Sequence, residues 1–251
     1  CSVDSPCKIT SNAEGEFLLP KLMVSYLANN LSLSFSAPDQ NLEGVLSDPF
    51  SVTIAEPHYM TIDSSTQPKV SVGQWLDRIE VTATDVGMNT IRDVHRGVLQ
   101  GGGIDYVILD TTARCDDDYY NNTLLTITAG PGIGQQSKIS AYVGQTRRAS
   151  VSLGRMAGPT SKYVIQYVVA IHVASIDMKP MSLSSKDTVV TDSYPPRKVP
   201  AFLGPSEAAI DNGVASFVGI KMQKAGVYTL RVMIEKPSYL GGRAETVSDP
   251  F

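Results

Sequence analysis

The sequence predicts an all-β fold made of several β-sandwich units. Three observations carry this prediction: apolar and polar residues alternate with a period of two, helical periodicity is nearly absent, and turns rich in glycine and proline recur at short intervals. Val, Ile, Thr and Ser are prominent, whereas stretches rich in Glu and Lys are absent. Many short strands between such turns favour antiparallel sandwiches over an α/β enzyme scaffold.

Five segments show the alternation most clearly. They are "LSLSF" at 31–35, "IEVTA" at 79–83, "KISAYV" at 138–143, "YVIQYVVAIHV" at 163–173 and "TLRVMI" at 229–234. Each places its apolar side chains on one face, as in a half-buried strand of an antiparallel sheet. The fourth segment also carries Val164, Val168 and Ala170 on its opposite face, which predicts burial between layers or against a neighbouring subunit.

The four-residue sequence "SDPF" occurs twice in the chain, at Ser47–Phe50 and again at Ser248–Phe251. An apolar strand and a variable loop precede each copy, so each copy is typical of the last third of a β-sandwich domain. We therefore predict three domains. Residues 1–55 are the C-terminal part of one sandwich, 56–160 form a second, and 161–251 form a third that stops before its last strand.

Two segments resemble known immunoglobulin-like families. "AGVYTLRV" at 225–232, followed by "SDPF", resembles the end of a filamin-type repeat. "LLTITAGPGIGQQSKISAYVGQ" at 124–145 is similar to the IPT/TIG immunoglobulin-like fold, although only Gly144-Gln145 of its final hairpin motif is kept. The resemblance implies tandem immunoglobulin-like β-sandwiches, as found in extracellular surface or filament proteins.

Composition limits the partners that the chain can have. Its formal net charge is −4 over 251 residues, with 18% charged and 42% hydrophobic residues, which argues against a nucleic-acid surface and against wholesale disorder. The longest apolar run, 163–174, is too short and too polar to span a bilayer, so we expect no membrane segment. The expected partners are other copies of the chain or neighbouring structural subunits.

Cysteines and sequons favour an extracellular or cell-surface location. Cys1, Cys7 and Cys115 lack zinc-ligand spacing, so secretion would leave one disulfide of unknown pairing and one spare thiol, while a reducing compartment would leave all three unpaired. Asn30 and Asn121 begin N-x-[ST] triplets and are the predicted glycosylation sites. Asn121 is the better candidate because "DDDYYNNT" reads as a polar loop.

The densest charge cluster is "CDDDYY", in which Asp116, Asp117 and Asp118 are weak candidates for a site that binds a hard cation such as Ca²⁺. Consecutive residues of an extended chain point to opposite sides, so the three carboxylates converge only in a special loop. A solvated acidic loop is the competing interpretation.

The remaining motifs give no reason to expect catalysis or a cofactor. His58, His95 and His172 are isolated, and the glycine-rich "AGPGIGQ" at 129–135 lacks the lysine of a phosphate-binding loop. No nucleophile with a nearby base emerges. Trp75, the single tryptophan, either covers one end of a core or offers a stacking platform for sugar.

These observations predict a non-enzymatic structural segment of an extracellular filament, stalk or surface-layer glycoprotein. It would act through end-to-end stacking of sandwiches and lateral subunit contacts. The alternative is an adhesin or receptor ectodomain that binds a protein or glycan through its loops. A binding module of a secreted enzyme and a cytoplasmic filamin-like cross-linker are two further alternatives.

Overall fold

The computed structural model describes residues 12–14, 16, 24, 27–37, 42–63, 71–76, 78–175, 202–223, 226–235 and 243–250. Within these ranges every helix or strand is a β-strand, so the all-β prediction is confirmed. In the same ranges, no helix combines the length and apolarity that crossing a membrane requires.

The strands follow one another along the chain in three groups. The first group holds β1 (Ala28–Leu31), β2 (Ser34–Ala37), β3 (Leu42–Leu46), β4 (Phe50–Val52), β5 (Tyr59–Asp63) and β6 (Ile79–Thr84). The second holds β7 (His95–Val98), β8 (Gly101–Gly102), β9 (Tyr106–Ile108), β10 (Leu124–Ala129), β11 (Gln136–Lys138), β12 (Ala141–Val143), β13 (Arg148–Ser150) and β14 (Lys162–Gln166). The third holds β15 (Val168–Ser175), β16 (Phe202–Leu203), β17 (Glu207–Asp211), β18 (Val214–Phe217), β19 (Lys221–Met222), β20 (Tyr228–Glu235) and β21 (Arg243–Val247).

Seven of these strands form one large sheet, in the order β21-β20-β15-β17-β18-β6-β5. Its two edge strands, β21 and β5, lie beside each other, so the sheet curls almost into a closed barrel. Alternation directs one face of each strand inward, as in β6, where Ile79, Val81 and Ala83 are fully buried. We call this unit the barrel.

Strands β7 to β14 form a separate sandwich. One four-stranded sheet has the order β11-β10-β14-β7 and the other has the order β12-β13-β9-β8. Their facing side chains make a second core, which includes Val107, Leu125, Tyr142 and Ile165.

The sandwich is inserted into the barrel between β6 and β15. Because β6 pairs with β18, with Ile79 opposite Phe217, strands from the predicted second and third domains share one sheet. The two cores therefore divide the chain differently from the boundary predicted near residue 160. The chain passes directly from one core to the other at Tyr167, which separates β14 from β15.

Before the barrel lie two small antiparallel pairs, β2 with β3 and β1 with β4. We call the β2–β3 pair the first hairpin and the equivalent β20–β21 pair of the barrel the closing hairpin. Residues 53–58, called the linker, connect β4 to the barrel.

Candidate functional site

A cluster of polar and aromatic side chains surrounds Asp110 at the end of the sandwich next to the barrel. Asp110 Oδ1 lies 3.3 Å from His95 Nε2 and accepts a 2.6 Å hydrogen bond from Thr112 Oγ1. The Tyr163 hydroxyl donates to Asp110 Oδ2 over 3.3 Å, and the His95 ring lies 5.7 Å from the Tyr163 ring. Gly97 makes room for this carboxylate, because a Cβ at that position would overlap Asp110 Oδ2.

Two opposing influences set the pKa of Asp110. Burial is the largest and raises the pKa, but hydrogen bonds from Thr112 and the charge and hydrogen bond of His95 together hold it below its ordinary value of 3.8. The carboxylate therefore stays ionised and fixes the orientation of the imidazole. The cluster therefore offers a part-buried carboxylate whose hydrogen-bond partners are His95, Thr112 and Tyr163.

Three buried tyrosines pack around this cluster and resist ionisation. Tyr120 contacts Tyr142 edge-on, with ring centroids 4.8 Å apart, and the Tyr142 hydroxyl donates to the Arg114 carbonyl over 2.5 Å. Burial raises the pKa of Tyr120 to about 12 and also raises the pKa values of Tyr142 and Tyr163 above 10.0.

The acidic residues of the candidate cation site serve as turn residues. Asp117 Oδ1 accepts a 2.8 Å hydrogen bond from Gly144 N, and Asp118 Oδ1 accepts a 2.7 Å hydrogen bond from Asn121 Nδ2. Asp118 also has a left-handed backbone with φ of 60°. Nowhere in the described ranges do three His, Cys, Asp or Glu side chains group in a way that could hold a metal, and Asp116 is exposed.

The two sequons differ in accessibility. Asn121 is half-buried, its Nδ2 bonds to Asp118, and its Oδ1 is buried with no hydrogen-bond partner in the structure. Asn30 is exposed on β1, with φ of 57°. The Nδ2 atom that would carry a glycan is therefore engaged at Asn121, the site that the sequence favoured.

Of the three cysteines, only Cys115 falls within the described residues; Cys1 and Cys7 lie outside them. Cys115 is an exposed free thiol, and Arg147 Nη2 lies 3.6 Å from its sulfur.

The linker is held against the barrel by Asp85, which is 2% exposed. Asp85 Oδ2 accepts a 3.1 Å hydrogen bond from Ala55 N, and its Oδ1 accepts from the backbone N–H groups of Gly87 and Asn89 over 2.9 and 2.8 Å. Ile54 packs against the barrel core, and His58 N donates to the Thr84 carbonyl over 2.8 Å. The linker is thus fastened at three successive points.

These hydrogen bonds also determine the pKa of Asp85. Burial alone would raise the pKa, but hydrogen bonds from Ala55, Asn89 and Gly87 outweigh it and lower the pKa below 3.8. The anchor is therefore an ionised carboxylate.

The two serines of the repeated "SDPF" make the same three hydrogen bonds. Ser47 N donates to the Leu33 carbonyl over 2.9 Å, Ser47 Oγ accepts from Leu33 N over 2.9 Å, and the same hydroxyl donates to the Asp48 carbonyl over 3.0 Å. In the closing hairpin, Ser248 makes the equivalent bonds to Leu230 and Asp249 over 2.9, 2.9 and 2.8 Å.

Trp75 lies on the surface of the barrel with 59% of its area exposed. It forms an isolated antiparallel bridge with Lys221, whose Nζ is 5.3 Å from the ring centroid. Trp75 therefore does not cap the core. Of the other histidines, His58 packs edge-on against Tyr59 at the start of β5, and His172 points outward from β15.

The sequence did not single out Asp85 or the pairing of His95 with Asp110. "TDVGMN" at 84–89 carried one usable signal, because an Asp two residues before a Gly is typical of a turn in which the carboxylate caps backbone N–H groups. No family model, no curated protein and no solved structure matches the chain.

Proposed function

We propose that the chain is a non-enzymatic structural segment of an extracellular filament, stalk or surface-layer glycoprotein. In this proposal its tandem immunoglobulin-like β-units follow one another in a fixed orientation and make lateral contacts with other subunits. The observation that carries the proposal is the fastened linker, because a connection held by Ile54, Ala55 and His58 has little freedom to bend. Short, docked connections make a row of domains behave as a semi-rigid rod.

A second feature supports lateral contacts. Ile104, Ile133 and Met156 are exposed on loops at the end of the sandwich remote from the barrel. Gln135 holds two of these loops together, because its Oε1 accepts from Arg155 N over 2.5 Å and its Nε2 donates to the carbonyls of Gly132 and Arg155. A rigid apolar tip of this kind suits a small contact repeated many times along an assembly.

The stiffness of the linker tests the proposal directly. Spin labels on cysteines introduced at Ser36 and Val218, both exposed, would report the distance between the first hairpin and the barrel, with Cys1, Cys7 and Cys115 replaced by serine. We expect a single narrow distance distribution. A broad distribution in the otherwise unchanged protein would contradict the proposal.

The matched variants are Asp85→Asn and Asp105→Asn. Asp85→Asn removes the acceptor that Ala55 N uses and should broaden the distribution. Asp105→Asn removes a charge from an exposed residue and should leave the distribution unchanged.

The extracellular part of the proposal has its own test. Intact-mass and peptide mass spectrometry of native, unreduced material should find a glycan, with Asn30 the more accessible acceptor, together with a cysteine bridge. Bare asparagines with three free thiols would favour an intracellular cross-linker.

Exposed Trp75 favours the adhesin as a second candidate function, with glycan as the ligand. An exposed indole ring is a stacking surface for the apolar face of a sugar, and Lys221 supplies a hydrogen-bond donor beside it. The intact chain should then bind features of a glycan array and lose them in Trp75→Ala, while Ile133→Ser keeps them. Absence of binding by the unmodified chain would exclude this candidate.

A further inference from the structure

We infer that the first hairpin is the closing hairpin of a second barrel, and that its open edges take the same kinds of strand that flank β20 and β21. This inference rests on the proposed function, because it identifies the unit that lies next to the barrel in the row. The partner that we infer for the first hairpin is the remaining strands of a barrel of the same type.

The hydrogen bonds at the base of the two hairpins give the first argument. In each, a serine closes the hairpin onto a leucine fourteen or eighteen residues earlier through a backbone bond and a hydroxyl bond of 2.9 Å. A strand hairpin does not need this arrangement, since an antiparallel ladder is built from backbone N–H and carbonyl groups alone. Its presence at both sites marks the hairpins as copies of one element.

The registers of the two hairpins agree as well. Ser34 lies opposite Leu46 next to the first serine, just as Arg231 lies opposite Val247 next to the second. One step further, Phe35 faces Val45 where Val232 faces Thr246.

Further from the base, the first hairpin contains a bulge, after which its paired residues again match those of the closing hairpin. Ala37 pairs with Leu42, which matches the apolar pair of Ile234 and Ala244 in the closing hairpin. The bulge places Glu43 and Gly44 together opposite Ser36, so that Glu43 is not part of the pair of Ala37 with Leu42.

The inward positions have the same chemistry. Leu230, Val232 and Ile234 are buried in the barrel core. Their equivalents by register are Leu33, Phe35 and Ala37; Leu33 and Phe35 are half-buried, and the intervening Ser34 and Ser36 are exposed. Leu33 and Phe35 therefore lie on the less exposed side of the first hairpin, as Leu230 and Val232 do in the closing hairpin, and Ser34 is exposed like Arg231. Ser36 differs from its equivalent Met233, which is buried.

The surroundings of the two hairpins differ. In the barrel, β20 pairs with β15 and β21 lies beside β5. In the part of the chain that the structure describes, β2 and β3 pair only with each other, and Val45 and Leu46 are 64% and 68% exposed. Edges with unpaired backbone groups next to exposed apolar side chains are sites where further strands add. By equivalence, the strand that pairs with β2 is of the β15 kind, and a strand of the β5 kind lies beside β3 without a hydrogen-bonded ladder, as β5 lies beside β21.

A graft tests the inference in the full chain. Leu33–Ser47 replaces Leu230–Ser248, so that the first hairpin must close the barrel. We expect the amides of β15 and β5 to exchange with deuterium within about threefold of the unmodified rate. In a control that carries a glycine–serine linker of the same length, these amides should exchange at least about a hundredfold faster, because both strands lose their neighbour.

A smaller graft guards against simple misfolding. It places Leu33–Ala37 at Leu230–Ile234 and keeps β21. If both grafts exchange like the linker control while β10 and β14 of the sandwich stay protected, the first hairpin is not a barrel hairpin and the inference is overturned. A broad spin-label distance distribution would contradict the proposed function without affecting this outcome, because the grafts leave the linker unchanged.

Discussion

At the scale of single residues, the function proposed here depends most on Asp85. Its carboxylate accepts hydrogen bonds from three backbone N–H groups, and one of these, Ala55 N, belongs to the linker. An ionised acceptor makes each of these bonds stronger than a bond between neutral groups. The Asp85 side chain therefore stabilises the turn after β6 and also fastens the linker to the barrel.

We predict that Asp85→Asn lowers the free energy of unfolding at pH 7 by about 2 kcal/mol, since the amide places a donor against a backbone donor. The pKa of Asp85 is lower in the folded protein than its ordinary 3.8, so the unfolded chain takes up the proton first. The stabilisation is therefore complete above pH 3.8 and is lost as the pH falls through the folded pKa.

Urea unfolding at pH 7 and at pH 3 measures both effects. The difference in stability between the unmodified protein and Asp85→Asn should be smaller at pH 3 than at pH 7. Asp105→Asn should match the unmodified protein at both values. A constant difference across this pH range would show that Asp85 is not an ionised anchor.

A second prediction at this scale concerns Gly144, at the turn after β12. A Cβ there would overlap the Cys115 carbonyl, which belongs to rigid backbone. Gly144→Ala should therefore lower the free energy of unfolding by about 3 kcal/mol. Gly158→Ala is the matched control, because a Cβ at Gly158 meets nothing within 4 Å. Thermal denaturation of both variants measures the difference in stability between them. Equal losses of stability in the two variants would contradict the prediction.

At the scale of strands, the clearest sequence pattern was interpreted correctly as strand but serves two cores. The alternating row in 163–173 supplies Tyr163 and Ile165 to the sandwich and Val169 and Ile171 to the barrel. Alternation predicts which side of a strand is buried, but it does not predict which other strands that side packs against. That information lies in strand pairings distant in sequence.

In the segment 138–143, the prediction of a single strand was wrong. The alternation predicts one strand with Ile139, Ala141 and Val143 on the same face, but β11 ends at Lys138 and β12 begins at Ala141 in the other sheet. Ile139 is buried, whereas Ala141 and Val143 are exposed and Tyr142 takes the inward position. The chain crosses from one sheet to the other at Ser140, which reverses the inward phase.

The two closing serines give the prediction at this scale. Ser248→Ala should lower the free energy of unfolding by about 1 kcal/mol, because Leu230 N loses its acceptor next to the barrel core. Ser47→Ala removes the equivalent bond from a hairpin outside both cores and should leave the unfolding midpoint unchanged. Guanidinium unfolding compares the pair, and equal effects would mean that the first hairpin contributes to the barrel.

At the scale of the whole molecule, the insertion of one unit into another was beyond prediction from the sequence. Strand β6 pairs with β18, and Ile79 and Phe217 lie opposite each other across 138 residues of chain. No local pattern encodes a pairing of this range. The repeated "SDPF" did mark two equivalent hairpins, although Phe251, the last residue of the second copy, lies outside the described residues.

The contact between the two units yields the last prediction. Val94 packs against both cores, Gln166 Nε2 donates to the Ile210 carbonyl over 3.1 Å, and Lys138 pairs with Glu207. Val94→Ala should lower the stability of both units by about 1 kcal/mol and separate their unfolding into two calorimetric transitions.

Val98→Ala is the control for this experiment. Val98 ends β7 at the remote end of the sandwich and is exposed, so this variant should keep the thermogram of the unmodified protein. Two transitions in the unmodified protein would show that the units are already independent.

The insertion also determines how a pulling force would pass through the molecule. The chain enters the sandwich along β7 and leaves along β14, and these two strands are hydrogen-bonded neighbours, with Val94 N bonded to the Ile165 carbonyl. Tension between the linker and the closing hairpin is therefore expected to pass through the barrel sheet, in which β5 lies beside β21 and β6 pairs with β18, and to bypass the sandwich. We expect the sandwich to act as a side branch that bears no load while the barrel stays closed, so that its apolar tip would keep its shape when the chain is pulled.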